Sequence, residues 1–267
     1  MMRRNPYDGK FIVLEGIDGS GKTTQTRMLG ERLTQEGFGI FLTREPTSDN
    51  VFGNLARFIY TCGALNDKLP GELKRFLQSK EYHLSCDLKG NQTIYHSRLE
   101  EIAREIERGD YGNLPMLLQI AMIFDRYHHH MNTVIPKLRE GIHVVSDRDF
   151  LSTLAYSAGD DLSWEPLLVV HEDIVGQAFI MPDVLLLIDI PVDVAIERTM
   201  NKQNGKKDYF DTQERLTKIR NRYIELSGAP NIANNTLFVT IDGSTSSNRV
   251  HESIWRHCQS LFSEQSF

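Results

Sequence analysis

A short segment, Gly16 to Thr23, combines a flexible backbone, a positive charge and a hydroxyl group. It follows the pattern Gly-x-x-x-x-Gly-Lys-Thr, in which Gly16 and Gly21 allow a tight turn that points successive backbone N–H groups at phosphate oxygens. Lys22 adds a mobile charge for the β- and γ-phosphates, and the hydroxyl of Thr23 is an oxygen ligand suited to Mg²⁺. The segment therefore predicts a P-loop that binds a nucleoside triphosphate.

The flanking sequence supports this prediction. Phe11–Leu14 is an apolar run typical of a buried strand, and Gln25–Leu33 is rich in helix-forming residues. Because a strand, a turn and a helix N-terminus are the usual setting of a phosphate-binding loop, a chance match of four fixed positions is the weaker interpretation.

A second cationic position follows the next apolar run. Arg44, within Thr43–Pro46, can bind a phosphate through two parallel hydrogen bonds of its guanidinium. A surface ion pair with Glu45 or Glu15 explains this arginine equally well, so both interpretations stay open.

Two acid–arginine pairs occur farther along the chain. Asp147 and Arg148 end a third apolar run, where a carboxylate can hold Mg²⁺ through water and an arginine can neutralise charge on a transferring phosphoryl group. Asp125 and Arg126 lie within a long helical stretch. Substrate binding and a buried structural ion pair explain that second pair equally well.

A local positive cluster follows in this otherwise acidic chain. Arg198, Lys202, Lys206 and Lys207 lie around a short polar stretch. We expect a lid over residues 199–210 that closes over phosphates and excludes water. A solvated loop between two helices is the alternative.

Short apolar runs predict the elements that position these residues. The predicted strands are 11–15, 39–43, 142–147, 184–188 and 237–241. Near-continuous apolar runs separated by helical stretches indicate an α/β fold, with a doubly wound five-stranded parallel sheet flanked by helices. Ligands gather at the carboxyl ends of such strands, where the P-loop, Arg44 and Asp147 all fall.

The segment between the second and third strands is far longer than one crossover requires. We expect a helical insertion over about residues 64–113, in which one apolar helix face is formed by Leu99, Ile102, Ala103 and Ile106. A long helix should then run from Leu114 toward Arg139 and stop at Gly141. His128–His130 lie in that helix and point in different directions, so we predict that they do not bind one metal ion.

The composition of the chain limits the partners and the cellular location that we expect. The 267 residues carry a formal charge of −6, which argues against nucleic acid or a membrane surface as a partner. Three scattered cysteines (Cys62, Cys86 and Cys258) without a C-x-x-C pair indicate reduced thiols. No apolar run is long enough for a membrane helix, and residues 1–8 lack the apolar region of a signal peptide. We expect one cytoplasmic domain over residues 1–267.

Taken in order, these motifs resemble the thymidylate kinase family of P-loop nucleoside-monophosphate kinases. The motifs are Glu15–Thr24, Thr43–Pro46, Asp125–Arg126, Asp147–Arg148 with Leu151–Tyr156, Pro182–Asp183 and Tyr223–Leu226. The resemblance implies a P-loop NTPase fold and ATP- and Mg²⁺-dependent phosphorylation of a deoxynucleoside monophosphate, foremost dTMP to dTDP. It also implies a homodimer.

The resemblance assigns roles to individual positions. Asp18 would meet the sugar 3′-hydroxyl of the acceptor, Arg44 and Arg148 would clamp its phosphate, and Tyr156 would crowd the sugar 2′ position. The implied ATP site is Gly16, Gly19, Ser20, Gly21, Lys22, Thr23 and Thr24, with Thr23 and Asp147 for Mg²⁺. The implied acceptor site is Asp18, Arg44, Met122, Arg126, Arg148, Ser152, Thr153 and Tyr156, and the implied catalytic residues are Lys22, Arg148, Asp18 and Asp147.

Departures from the family pattern fall mostly at the acceptor site. Met122 stands where an aromatic residue commonly stacks on the base, Asp149 stands where an aromatic is usual, and Gly19 stands where one subgroup has arginine. Lid arginines are replaced by Lys202, Lys206 and Lys207. Two alternatives follow. One is a related deoxynucleoside or other nucleoside-monophosphate kinase with a changed acceptor, from which Asp149 would accept hydrogen bonds. The other is a non-catalytic nucleotide-binding regulatory protein.

Overall fold

The predicted strands form one parallel sheet in the computed structural model, which describes residues 3–62, 69–79, 91–202 and 212–262. The strands are β1 (Phe11–Glu15), β2 (Ile40–Arg44), β3 (His143–Asp147), β4 (Val184–Asp189) and β5 (Leu237–Asp242). Their order across the sheet is β2-β3-β1-β4-β5, and every neighbouring pair is parallel. The five strand predictions are confirmed, because no strand end differs by more than one residue.

Strand β1 lies at the centre of this sheet, and all of its side chains are buried. Ile12 and Leu14 pack into one apolar layer, whereas Phe11 and Val13 pack into the layer on the opposite face. Alternate residues of a strand point to opposite faces, so a strand covered by helices on both faces must be apolar throughout. The continuous apolar run in the sequence is explained in this way.

Helices cover both faces of the sheet. Those of the described residues are α1 (Lys22–Gln35), α2 (Val51–Cys62), α3 (Leu69–Gln78), α4 (Asn91–Glu107), α5 (Leu114–His129), α6 (Ile135–Arg139), α7 (Phe150–Tyr156), α8 (Trp164–Val175), α9 (Val192–Lys202), α10 (Gln213–Ser227), α11 (Pro230–Ala233) and α12 (Ser247–Cys258). Helices α1 and α12 pack on one face, and α5 to α8 with α10 contribute to the core on the other. Among the helices described, none combines the length and the apolar character needed to cross a membrane.

The middle segment contains α3 and α4, which pack against each other and against α2 and α5. The predicted apolar face of α4 is confirmed, since Leu99, Ile102, Ala103 and Ile106 are all fully buried. Helix α5 continues through a π-helical turn, His130–Val134, into α6. Gly141, with a φ of 74°, follows the end of α6 as predicted.

Candidate active site

A cleft of about 640 Å³ opens at the carboxyl ends of β1, β2 and β3. Because the parallel strands all end at this edge of the sheet, residues distant in the sequence converge there. The predicted site residues that line the cleft are Asp18, Gly19, Ser20, Gly21, Lys22, Thr23, Thr24, Arg44, Met122, Arg126, Asp147, Arg148, Ser152, Thr153 and Tyr156. Gly16 lies beneath the loop, where its carbonyl oxygen accepts hydrogen bonds from Lys22 and Arg148.

The loop between β1 and α1 requires glycine at two positions. Gly16 has a φ of 144° and a Cβ there would lie 2.5 Å from the carbonyl oxygen of Ile188. Gly19 has a φ of 81° and its Cβ would lie 2.5 Å from the carbonyl oxygen of Ala195 on α9. The close approach of α9 therefore leaves no room for a side chain at position 19.

Lys22 is the first residue of α1 and is only 6% exposed. Its ammonium group donates hydrogen bonds of 2.9 Å to the carbonyl oxygens of Gly16 and Ile17. Burial and the nearby Arg148 lower the pKa of Lys22 to about 8, although Asp18 and other carboxylates act in the opposite direction. A lysine held beside the turned backbone of the loop can deliver its charge to a phosphate bound there.

Thr23 and Asp147 meet at the mouth of the loop. The Thr23 hydroxyl donates a hydrogen bond of 2.6 Å to a carboxylate oxygen of Asp147. A hydroxyl and a carboxylate are hard oxygen ligands of the kind that Mg²⁺ prefers, and both lie beside the phosphate-binding backbone. These residues therefore fit a magnesium ion.

The carboxylate of Asp18 accepts hydrogen bonds from three side chains. Arg148 donates to it at 2.6 Å, and the hydroxyl of Tyr156 donates to it at 3.1 Å. The third partner is the hydroxyl of Tyr60 on α2. Burial alone would raise the pKa of Asp18, but Arg148 and Lys22 lower it to about 2, so this carboxylate is ionised at neutral pH.

Arg148 has a left-handed backbone with a φ of 79°, which is rare for a residue other than glycine. Such strain persists only where surrounding contacts hold the residue, and it is typical of functional sites. Here the guanidinium donates to the hydroxyls of Ser152 and Tyr156 at 2.9 Å. It also lies over the ring of Tyr156, 4.8 Å from the ring centre.

Ser152 connects Arg148 to a buried carboxylate that the sequence did not single out as a site residue. Glu15 accepts hydrogen bonds from the Ser152 hydroxyl at 2.6 Å and from the Tyr223 hydroxyl at 2.9 Å. It also accepts from the backbone N–H groups of Asp149 and Ser152, at the start of α7. Burial raises the pKa of Glu15, although Arg148 opposes the shift.

Arg44 is exposed in the cleft, and among the described residues it does not form the surface ion pair with Glu45 or Glu15 that was one of its two interpretations. Glu45 pairs instead with Arg126, and Glu15 is buried under α7. Within the described residues, no hydrogen bond or ion pair engages the Arg44 side chain. The charge therefore faces the cleft, where an anion can bind it.

Two cleft residues on α2, Arg57 and Tyr60, were missed by sequence reasoning. Arg57 donates to the carbonyl oxygens of Pro46 and Thr47, and burial and the charge of Arg44 lower its pKa. They lie three positions apart on one helix face, which is the only signal that the sequence offered. Because no motif lies within α2 itself, that signal was too weak to use.

Arg126 borders the cleft but is only 2% exposed. Its Nε donates to Glu45 at 2.9 Å and lies 3.1 Å from a carboxylate oxygen of Asp149, and its Nη2 donates to Glu45 at 2.5 Å. Its Nη1 donates to the Thr153 hydroxyl at 3.1 Å and to Nε2 of His171 at 2.7 Å. A buried ion pair is thus present at this arginine, but its partners are not the neighbouring Asp125.

Asp125 has a structural role of its own. It accepts hydrogen bonds from the backbone N–H of Thr47 at 2.9 Å, from the Thr47 hydroxyl and from the Asn50 amide. Asn50 in turn accepts from backbone N–H groups at the start of α2. Asp125 therefore fixes the loop that connects Arg44 to α2.

Asp149 is buried outside the cleft lining, so it is not placed to accept a hydrogen bond from an acceptor, as one alternative had expected. Its carboxylate accepts from the N–H of Phe150 and so caps α7, and it lies 3.0 Å from Nε2 of His130. Burial would raise the pKa of Asp149, but His130 and Arg126 lower it to about 2. Asp149 is thus an ionised core residue.

The three consecutive histidines diverge, as predicted. His128 stacks on Phe52 with ring centres 5.4 Å apart, His129 binds Glu45 at 2.9 Å, and His130 binds Asp149. Successive helix positions point about 100° apart, so His128 packs on an aromatic ring whereas His129 and His130 reach two different carboxylates.

The other end of the cleft is formed by α9 and by the loop after β5. Arg198 donates to the carbonyl oxygen of Gly243 at 3.1 Å, and Thr199 and Thr245 also line this end. Of the predicted lid, Lys206 and Lys207 lie outside the described residues, as does the side chain of Lys202. The lid remains a prediction.

A family model described as thymidylate kinase matches this chain over residues 14–99 and 73–254, two overlapping segments. A probable thymidylate kinase of Pyrococcus horikoshii is 32% identical over 224 residues, covering 82% of this chain and 83% of the relative. One of Thermococcus onnurineus is 31% identical over 221 residues, covering 81% and 83%. A thymidylate kinase of Leptospira interrogans is 29% identical over 240 residues, covering 90% and 89%.

Proposed function

The chain belongs to the thymidylate kinase family and is a nucleoside-monophosphate kinase, and we propose that it transfers the γ-phosphoryl group of ATP to dTMP, giving dTDP and ADP. The observation that carries this proposal is the arrangement of charge in one cleft. Lys22 in the loop after β1 and the arginines at the ends of β2 and β3 line the same cavity. One cleft can therefore hold the phosphates of a donor and of an acceptor.

In the proposed reaction, an oxygen of the dTMP phosphate attacks the γ-phosphorus and the bond to the β-phosphate oxygen breaks. The protein contributes position and charge, because phosphoryl transfer needs little covalent chemistry from side chains. The loop N–H groups and Lys22 bind the donor phosphates, and Arg44 and Arg148 neutralise and orient the acceptor phosphate. Thr23 and Asp147 would hold Mg²⁺, which when bound neutralises phosphate charge.

The sugar and base of the acceptor would lie between α5 and α7. Asp18 is ionised and anchored beside Arg148 and Tyr156, so it can accept a hydrogen bond from the sugar 3′-hydroxyl. Met122 and Thr153 line the same cleft and would contact the base. A flexible thioether packs on a base less selectively than an aromatic ring.

A coupled assay of ADP release tests the proposal, with dTMP, dUMP, dCMP, dGMP and UMP as acceptors at fixed Mg²⁺–ATP. We expect the highest kcat/KM with dTMP. Turnover of another acceptor without turnover of dTMP or dUMP would overturn the substrate assignment. The Lys22→Ala variant should lose turnover while keeping the circular dichroism spectrum of the wild type, and undiminished activity would contradict the assignment of the loop.

Three further properties belong to the proposal. We propose a homodimer, which light scattering of the purified chain tests, and a cytoplasmic location, which cell fractionation tests. We also propose that the protein binds small-molecule nucleotides but not DNA or RNA. A filter-binding assay with DNA and RNA at low salt tests that expectation.

A further inference from the structure

Each of the two clamp arginines is followed directly by a buried carboxylate, and the two carboxylates share one partner. Glu45 follows Arg44, Asp149 follows Arg148, and Arg126 contacts both acids. We propose that Arg126 is a positioning residue that sets the distance between Arg44 and Arg148 by tying together the loops that carry them. This inference rests on the proposed function, because it concerns how the acceptor phosphate is clamped.

The contacts of Arg126 support a connecting role. Nε is shared between Glu45 at 2.9 Å and Asp149 at 3.1 Å, and Nη2 donates to Glu45. Nη1 is occupied by Thr153 and His171. Every nitrogen of the guanidinium therefore has a protein partner, and the planar group fixes the directions in which the two acids lie.

The acids are held from the other side as well. His129 contacts Glu45 at 2.9 Å and the Thr43 hydroxyl at 2.7 Å, so it attaches this acid to the end of β2. His130 contacts Asp149 at 3.0 Å and the carbonyl oxygen of Ala178 at 3.0 Å. Each loop is thus fastened both to Arg126 and to a histidine of the same helical segment.

Glu45, His130 and Asp149 are grouped as the ligands of a metal site would be, but a cationic side chain, that of Arg126, already lies between the two acids. Ligand atoms of Glu45, His130 and Asp149 lie within 4.8 Å of one another. The Arg126 guanidinium contacts both carboxylates and supplies the positive charge that two buried acids need. A metal ion at the same place would have to displace it.

The chain geometry shows how this cluster would act on the clamp. Arg44 lies opposite Asp147 in the register of β2 and β3, so both loops leave the sheet at the same level. Arg148 has a left-handed backbone, and the residue that follows it, Asp149, is held by Arg126. A shift of Asp149 would therefore change the direction of the neighbouring Arg148, and small misplacements at a reacting centre have large kinetic effects.

The test compares two Asp→Asn variants in steady-state kinetics. Asp149→Asn keeps the shape and the helix cap but removes the charge that Arg126 binds. We expect the KM for dTMP to rise by about tenfold or more, with the KM for ATP changed less than about twofold. Asp183→Asn is the matched control, because Asp183 also accepts from a backbone N–H, that of Phe11, but at the opposite end of β1. It should leave both KM values unchanged.

A double-mutant cycle distinguishes positioning from general stabilisation. If Glu45 and Asp149 act through one guanidinium, the effects of Glu45→Gln and Asp149→Asn on the KM for dTMP should be clearly less than multiplicative in the double variant. Multiplicative effects, or equal rises in both KM values, would overturn the inference. If Asp149→Asn does not fold, His130→Gln replaces it, with His143→Gln as control, since His143 is buried on β3 outside the cluster.

The outcomes separate the two proposals. A wild-type enzyme that does not phosphorylate dTMP contradicts the proposed function. A wild-type enzyme that does so, with variants whose KM for dTMP is unchanged, contradicts the positioning role alone.

Discussion

The hydroxyl of Thr23 lies 2.6 Å from the carboxylate of Asp147, although 124 residues separate them in the chain. Thr23 is fixed by the first turn of α1 and Asp147 by the end of β3. Strand β3 lies beside β1, which delivers the loop to the same edge of the sheet. This contact is therefore a direct consequence of the strand order.

The contact predicts a shared role in magnesium binding. Thr23→Val and Asp147→Asn should each raise the Mg²⁺ concentration that gives half-maximal activity by about tenfold or more, because the first removes an oxygen ligand and the second removes the negative charge of the other ligand. A magnesium titration of ADP release at saturating ATP measures the change. Thr34→Val is the control on the same helix, since its hydroxyl donates to the Gly30 carbonyl oxygen, away from the cleft lining. Equal magnesium requirements in all variants would contradict the site.

Tyr156 offers a test of sugar selection. Its ring is held by Asp18 and Arg148 at the cleft wall, where it would crowd a 2′-hydroxyl. Tyr156→Ala should lower the preference for dUMP over UMP, measured as the ratio of kcat/KM values, by about tenfold. Tyr156→Phe keeps the ring and should retain the preference even if overall activity falls. A preference that survives in the alanine variant would exclude this role.

His171 predicts an acid-dependent loss of stability. Its Nδ1 donates to the Leu167 carbonyl oxygen, so Nε2 accepts from Arg126 and the ring is neutral. Burial and Arg126 lower its pKa from 6.5 to about 3. The folded state therefore binds fewer protons than the unfolded state between these values, and the contribution of His171 is present above pH 6.5 and is lost as the pH falls.

The measurement is urea unfolding of the wild type and of His171→Gln, which keeps an acceptor for Arg126 but cannot be protonated. Below about pH 6.5, the free energy of unfolding of the wild type should fall relative to that of the variant by as much as about 1.4 kcal/mol per pH unit. Parallel curves between pH 7 and pH 4 would show that His171 is not buried as a neutral group.

Gly53 predicts a site where a single methyl group destabilises the protein. A Cβ there would lie 2.5 Å from the Thr47 carbonyl oxygen and 2.6 Å from Asp125. Gly53→Ala should lower the free energy of unfolding by about 1–3 kcal/mol, because the loop after Arg44 must shift. Gly71→Ala is the control, and it should be neutral or stabilising, because among the described residues a Cβ there meets no atom within 4 Å apart from its chain neighbours and its own helix backbone. Thermal unfolding of both variants distinguishes close packing from helix propensity.

The sequence alone determined the elements and the donor half of the site. Apolar runs identified all five strands of the central sheet. The runs are continuous in β1 and through most of β4, because a strand buried on both faces has no freedom to be polar. The glycines and Lys22 identified the phosphate loop, since their role depends on spacing within one turn of chain. The strand ends then placed Arg44, Asp147 and Arg148 at one edge of the sheet.

Only the tertiary structure decided which charges face the cleft and which face the core. The sequence left open whether Arg44 binds a phosphate or pairs with Glu45 or Glu15, and it placed Asp149 where an acceptor could reach it. In the fold, Arg126 and His130 take the acids beside the clamp arginines, so Arg44 faces the cleft and Asp149 is buried. Partner choice among charged groups depends on distances set by packing between strands and helices far apart in the chain, and no local pattern contains those distances.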